Sequence, residues 1–327
     1  MVSLAASYRL ACPSHPRRTR LPAIGGLLVA LALAQALALA PAPPVAAASY
    51  PMELVDDAGN PVRLEAPPQR IVSLVPSLTE AVCALDACDR LVGVDDYSNY
   101  PPQVMSLPRL GGLYDPNVER IVALGPDLVL LSKYGRLPQV LRQAGLTVFI
   151  LESETLEDAF RNLTTLGRLL DREDRATRLV DAIQREMQRI ADLVRASGRS
   201  PSVYYEIDPT PYAAGPDSFI GALIELAGGR NVVPAHLGLF PRISPELVIQ
   251  ADPDVIVLGD APYGVTARQL AERPGWAALS ALREGRVAEL DAAQVDLVSR
   301  PGPRVAEAVR LLAALLHPAL RDELGAP

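Results

Sequence analysis

Apolar residues along this chain fall into short runs separated by longer amphipathic stretches. Ile71-Val72-Ser73-Leu74-Val75 reads as a buried strand. Ser77-Leu78-Thr79-Glu80 follows with the spacing of a capping box, opening a helix that runs through Leu85. Val92-Gly93-Val94, Leu128 to Leu131 and Val148 to Leu151 read as further strands with helical periodicity between them. The second half repeats the theme: a strand from Val203 to Ile207, a helix around Phe219 to Ala227, strands at Val255 to Leu258 and Val287 to Leu290, and a last helix from about Pro303 to Leu316. Strands alternating with helices predict an α/β fold with mainly parallel sheets covered on both faces.

Between the halves, Val180, Ile183, Met187, Ile190 and Val194 recur at spacings of three and four, giving one apolar stripe on a charged helix. A helix over 174–198 would be about 36 Å long at 1.5 Å per residue, a rigid strut rather than a flexible tether. The stretch from Asn117 to Leu130 returns at constant offset as Ser244 to Val257, so that Glu119 matches Glu246 and Asp127 matches Asp254. Each copy reads as a helix cap, a short amphipathic helix, a Pro-Asp turn and a buried strand. The predicted architecture is therefore two pseudo-symmetric α/β lobes, 49–173 and 199–327, joined by one long rigid helix.

Composition narrows the function. The 327 residues carry a formal charge of −7, and the positive charges of Arg9, Arg17, Arg18 and Arg20 all lie before Ser49. The body is thus strongly acidic, which argues against a nucleic-acid partner. Those arginines, an almost wholly apolar run from Ala23 to Ala40 and the small residues Ala46-Ala47-Ala48 mark residues 1–48 as a signal peptide, with cleavage near Ala48. The apolar run is also long enough for an uncleaved anchor. Cys12 precedes the run, so no lipidation site follows it, and the mature protein is expected to be exported and soluble. Cys83 and Cys88 are compatible with a disulfide in an oxidising compartment, and equally with two small core residues. Neither has neighbours at metal-ligand spacing.

Aromatics are only 5% of the chain, so their placement is informative. Tyr97 and Tyr100 follow the Val92–Val94 strand, Tyr134 follows Leu131, Tyr212 follows the Val203–Ile207 strand, and Tyr263 follows Leu258. Tyr114 and Phe240 sit in the loops leading into the two repeated helices. In parallel α/β sheets ligands collect outside the carboxyl ends of the strands. A cleft lined by phenols and a phenyl suits a large, flat, partly apolar ligand; ordinary packing is the alternative for each, and Tyr100 could stack on Pro101-Pro102. Trp276 reads as a core anchor. Glu119 and Glu246 each lie in a first helical turn, where the helix dipole alone favours a carboxylate. Two at matched positions on two lobes fit a two-fold partner better.

The segments Arg70 to Glu80, Val92-Gly93-Val94 with Tyr97-Ser98-Asn99-Tyr100-Pro101-Pro102, and Val118 to Leu124 resemble the periplasmic cobalamin-binding proteins of ABC importers. These belong to the wider helical-backbone family that binds cobalamin, haem and ferric siderophores. The likeness spans residues 66–316. It implies lobes that barely hinge about one long helix, and one glutamate per lobe, here Glu119 and Glu246, pairing with arginines on a homodimeric permease. It implies ligand contacts at Tyr97, Tyr212 and Phe240, the last where the cobalamin binders carry tryptophan. Leu113-Tyr114 stands where those proteins have another tryptophan.

His236 precedes Phe240 in the same loop and could coordinate cobalt or haem iron as a neutral imidazole, or simply be solvated. Arg300 could meet ligand carboxylates or phosphate; packing at a helix start is the other role, particularly for Arg304. The expected ligand set is Tyr97, Tyr100, Tyr114, Tyr134, Tyr212, Phe240, His236 and Arg300. The expected function is capture of a corrinoid between the lobes and its delivery to the permease by a free monomer, with no cofactor other than the transported ligand. The same machine carrying haem or a ferric siderophore is the alternative. An exported two-lobed enzyme is the alternative of another class, but no phosphate-binding glycine loop, nucleophile elbow or His-Glu-x-x-His motif supports it.

Overall fold

The computed structural model describes residues 50–112 and 114–325. The signal segment, its cleavage position and any anchoring role therefore lie outside the described residues. The chain opens with a hairpin that the sequence pattern did not announce. β1 (Met52–Val55) pairs antiparallel with β2 (Pro61–Leu64). Arg142 donates to the buried Asp56 carboxylate at its turn (2.6 Å).

The first lobe is a four-stranded sheet in the order β4-β3-β5-β6, every pair parallel. Its strands are β3 (Ile71–Ser73), β4 (Leu91–Val94), β5 (Leu128–Leu131) and β6 (Val148–Ile150). The connecting helices are α1 (Pro76–Ala84), α2 (Val118–Ala123) and α3 (Leu137–Gln143). α4 (Leu156–Leu169) then leads into the long helix α5 (Glu173–Ala196), close to its predicted span.

The second lobe is built on β7 (Ser202–Asp208), β9 (Arg230–Asn231), β10 (Val255–Leu258) and β11 (Val287–Glu289), all parallel, with β8 (Tyr212–Ala213) folding back antiparallel onto β7. Around them pack α6 (Phe219–Leu226), α7 (Pro245–Ala251), α8 (Ala267–Glu272), α9 (Ser280–Arg283), α10 (Ala292–Ser299), α11 (Val305–Leu316) and α12 (Arg321–Leu324).

The two-residue period of the strands divides the interior into layers. In β5, Val129 and Leu131 face a cluster confined to the first lobe with Ile121 and Leu141. In β10, Ile256 and Leu258 face one confined to the second lobe with Val248 and Trp276, the expected core anchor. The alternate residues, Leu128 and Leu130 in one lobe and Val255 and Val257 in the other, belong to a single core that also holds Ile183, Met187, Ile190 and Val194 of α5. The long helix is therefore an integral core element of both lobes. The apolar stripe read from the sequence is the face that enters this core.

Two local expectations resolve here. Cys83 and Cys88 form a disulfide that ties the end of α1 to the following turn. The capping box at Ser77–Glu80 is not formed. α1 begins at Pro76, whose missing N–H suits a first helical position, and its N-cap Val75 makes no side-chain cap. Ser77 therefore falls inside the first turn, and the Glu80 side chain points elsewhere.

Ile190 is fully buried in the shared core. Ile190→Ala is expected to lower unfolding stability by about 2–5 kcal/mol while calorimetry still records one transition. Two resolved transitions in either protein would show that the lobes fold independently.

Candidate functional site

Strand order reverses direction between β3 and β5 in one lobe and between β7 and β10 in the other. Loops at the carboxyl ends of such strands diverge and leave a crevice. Among the described residues, every exposed aromatic side chain is one of the seven singled out from the sequence: Tyr97, Tyr100, Tyr114, Tyr134, Tyr212, Phe240 and Tyr263. They lie on the loops expected to border that crevice.

In the first lobe, the rings of Tyr114 and Tyr134 meet edge to face at 5.5 Å. The Tyr114 phenol beside it raises the Tyr134 pKa. Gly112 lets the loop before α2 pass beneath Tyr97, since a Cβ there would lie 3.2 Å from that ring and 2.9 Å from the Asp115 carboxylate. The 95–100 loop is pinned at its base. The buried Asp95 carboxylate accepts from Tyr97 N (2.8 Å) and Ser98 Oγ (2.5 Å), and Arg109 Nη1 donates to the carbonyls of Asp95 and Ser98. Burial raises the Asp95 pKa, opposed by those hydrogen bonds.

In the second lobe, the Phe240 loop is laced to β8. Ala213 N donates to Pro241 O and Gly215 N to Leu239 O. A Cβ on Gly215 would sit 2.1 Å from Gly238 O, so only glycine permits this approach. Tyr212 and Phe240 thus share one rim. His236 lies exposed in a single turn of 3-10 helix in the same loop, with no hydrogen bond among the described residues.

Beneath this rim sits a polar cluster that sequence reasoning missed. Glu206, fully buried in β7, accepts a bidentate pair from Arg273 (2.7 and 2.6 Å) and a bond from Tyr204 Oη (2.9 Å). Asp260, just beyond β10, is also fully buried, and neither carboxylate oxygen has a hydrogen-bond partner among the described residues. Burial and the neighbouring Glu206 carboxylate push its pKa up to about 7.

The lobes are joined beside the crevice by a second buried network. Arg304 of the second lobe grips Glu80 of the first with two bonds (2.8 and 2.7 Å). Arg300 Nη1 donates to Glu80 Oε1 (3.0 Å) and to Asn99 Oδ1 (2.7 Å), and its Nη2 donates to Tyr97 O (3.1 Å). Asp296 pairs with Arg300 (2.8 Å) and accepts from Asn99 Nδ2 (2.7 Å). The Arg300 side chain is 9% exposed and that of Glu80 2%. Arg300 is therefore committed within the protein and is not a free cation for ligand, which corrects the expectation above. The Arg304 guanidinium covers one face of the Tyr100 ring at 4.0 Å, and the residue stays 40% exposed. Arg300 and Arg304 flank the non-helical Pro-Gly-Pro turn between α10 and α11, and no local pattern in the sequence signals this network.

Glu119 and Glu246 start α2 and α7, whose N-caps Asn117 and Ser244 accept from Arg120 N and Leu247 N. Both carboxylates are exposed, with no ion-pair partner among the described residues. The repeat extends to surface exposure: Val122 and Ile249, one turn on, are exposed by 39% and 38%.

The family model for periplasmic binding proteins matches residues 71–294. The chain belongs to that family. A cobalamin-binding protein of Halobacterium salinarum is 31% identical over 279 residues, covering 83% of this chain and 75% of that one. The crystal structure of the vitamin B12-binding protein BtuF of Vibrio cholerae matches with a TM-score of 0.65 at 28% identity, over 78% of this chain and 99% of that one. The periplasmic heme-binding protein RhuT from Roseiflexus sp. RS-1 matches with a TM-score of 0.68 at 29% identity, over 77% and 98%. The two-lobed α/β fold with parallel sheets is that of these proteins, and the chain is a substrate-binding protein of ABC importers.

In this periplasmic binding protein a concavity of ≈ 950 Å³ lies along α5 and α6, with Leu156, Val194, Arg199 and Arg230 in its walls and none of the seven aromatics. Of the seven, Tyr134 lines a small depression with Leu74, Gly112, Pro116 and Leu137.

Asp260 generates a pH prediction. Its folded pKa of about 7 lies above the roughly 3.9 of an unfolded aspartate. Between the two the folded chain holds a proton that the unfolded chain releases, so stability falls as pH rises from about 4 to about 7 and levels off beyond. Glu206, Arg273 and the Tyr205 phenol face the same group and shape the wild-type curve. The melting temperature of Asp260→Asn, relative to wild type, should improve across that window and stay flat above it. A difference independent of pH would show that Asp260 titrates normally.

Proposed function

We propose that the cargo is a corrinoid, held one to one between the lobes at the aromatic rim and passed unchanged to an ABC permease outside the cytoplasmic membrane. The observation that carries this reading is an aromatic rim at which three of the nearby arginines are already occupied. Arg300 and Arg304 serve Glu80, and Arg109 serves the carbonyls of Asp95 and Ser98. A ferric siderophore bound through anionic groups would call for free cations. A large, flat cargo of low net charge is served by phenols and a phenyl that offer apolar faces and hydroxyl tips. The relatives named for cobalamin and vitamin B12 support the same class. The haem alternative keeps one observation of its own: His236 beside Phe240 and Arg136 beside Tyr134 have no partners among the described residues, and could serve an iron and a propionate. As a carrier in a family of transport proteins, the chain needs no catalytic group and no cofactor of its own.

Delivery falls to Glu119 and Glu246. Together with Val122 and Ile249 they give each lobe the same small acidic and apolar patch. A homodimeric permease presents its complementary patch twice, about an axis that the two lobes imitate.

Calorimetry with cyanocobalamin, haemin and ferrichrome tests the cargo. Cyanocobalamin should bind at one per chain. At least one of Tyr97→Ala, Tyr212→Ala and Phe240→Ala should weaken it about thirtyfold, the loss typical of a buried aromatic hot spot. Tight haemin binding without corrinoid heat would transfer the proposal to haem, and three neutral truncations would move the cargo away from the rim.

A second outcome concerns docking. The Glu119→Ala, Glu246→Ala double variant should bind cargo as wild type does yet fail to support uptake, because losing one partner of a desolvated interface pair can cost 2–5 kcal/mol. Normal uptake at matched expression would eliminate the docking role.

A further inference from the structure

The hydroxyl of Tyr97 has no hydrogen bond among the described residues and its exposed ring rests only on the Gly112 loop, so the ring is placed chiefly by its backbone. That backbone is held from two sides. The first lobe holds Asp95 to Ser98 through Arg109 and through Thr79 Oγ1, which lies 2.8 Å from Ser98 Oγ. The remaining anchors, from Tyr97 O onward, come from the other lobe: Arg300 on the Tyr97 carbonyl and the Asn99 amide oxygen, Asp296 on the Asn99 amide nitrogen, and the Arg304 guanidinium on the face of Tyr100.

We infer that Arg300, acting with Asp296 and Asn99, is a positioning residue for the cargo: the second lobe sets the Tyr97 side of the crevice. This rests on the aromatic rim being the cargo site. The division of labour within the network supports it. Arg304 alone gives Glu80 two bonds, so neutralising that carboxylate does not require Arg300 to reach further. Yet the Arg300 fork also touches Asp296, Asn99 and Tyr97 O. Only a planar guanidinium with several fixed donors bridges four acceptors at once; a lysine ammonium is a point charge. A loop anchored before the cargo arrives need not be ordered on binding, and the avoided ordering cost appears as affinity.

Two variants separate positioning from support. Arg300→Lys keeps a positive charge beside Glu80 and removes the fork; Asn99→Ala leaves every charge in place and removes the two side-chain hydrogen bonds that tie Asn99 to the second lobe. Each is read by peptide-resolved hydrogen exchange of residues 95–100 in ligand-free protein and by the dissociation constant for cyanocobalamin. Both variants should raise exchange in that loop at least tenfold while α5 keeps its protection. Both should weaken cyanocobalamin about tenfold, the order expected for one side chain that must be ordered on binding. Unchanged loop exchange in both variants would overturn the inference, as would faster loop exchange with wild-type affinity. A merely supporting role would lower the melting temperature and move neither readout in Asn99→Ala. If wild-type protein takes up no cyanocobalamin, the corrinoid reading falls while loop exchange still decides whether Arg300 anchors Tyr97. Should Arg300→Lys fail to fold, Asn99→Ala decides alone.

Discussion

Glu80 is a carboxylate buried in one lobe and neutralised by the other. Leaving such a charge unpaired would cost several kcal/mol after relaxation, and its guanidinium partners arrive 220 and 224 residues later in the chain. The first lobe therefore cannot complete its own interior chemistry. The same dependence is written in apolar terms, because alternate residues of the central strands of both sheets pack into one core with α5. Paired charge at the crevice and shared core behind it hold the lobes as one body, and the crevice inherits its shape from both.

The occupied arginines in turn define what the crevice can offer. With Arg300 and Arg304 turned inward, the rim presents phenols, a phenyl, a histidine and few free cations. The proposed cargo, a broad and weakly charged molecule, matches such a surface. The second lobe adds a buried acid, Asp260, close to Glu206, which makes the base of its rim sensitive to protons without exposing a charge to the cargo. On the two repeated helices, Glu119 and Glu246, proposed to dock the permease, have no ion-pair partner among the described residues. Polar groups are thus sorted by role: the interlobe carboxylate is paired and buried, and the matched surface carboxylates are left unpaired.

Much of this was legible in the sequence because the relevant signals are local. Strands announced themselves by apolar runs, α5 by its stripe of Val180 to Val194, and the matched helices by direct repetition. The exposed aromatics were found because five of them follow strands and the other two, Tyr114 and Phe240, lead into the repeated helices. The rest depended on partners distant in sequence. Ser77 and Glu80 have the spacing of a capping box, yet Pro76 starts the helix and Glu80 belongs to Arg300 and Arg304, which no local pattern reveals. Glu206 and Asp260 were hidden in the same way, one inside a strand and one just past another. The β1–β2 hairpin was overlooked because only Val62 and Leu64 of its eight strand residues are buried, and β8 and β9 are two residues each. The Cys83–Cys88 spacing allowed a bridge or two free thiols, and only the fold around α1 brings the sulfurs together.

A crystal structure of the mature protein grown with cyanocobalamin tests the central claim most directly, that a rigid two-lobed body holds a corrinoid at its aromatic rim. The account predicts one corrin ring in contact with Tyr97 and with Tyr212 or Phe240, and the bonds from Glu80 to Arg300 and Arg304 intact. A ring seated in the concavity along α5 and α6, or lobes parted with Glu80 released from both arginines, would contradict it.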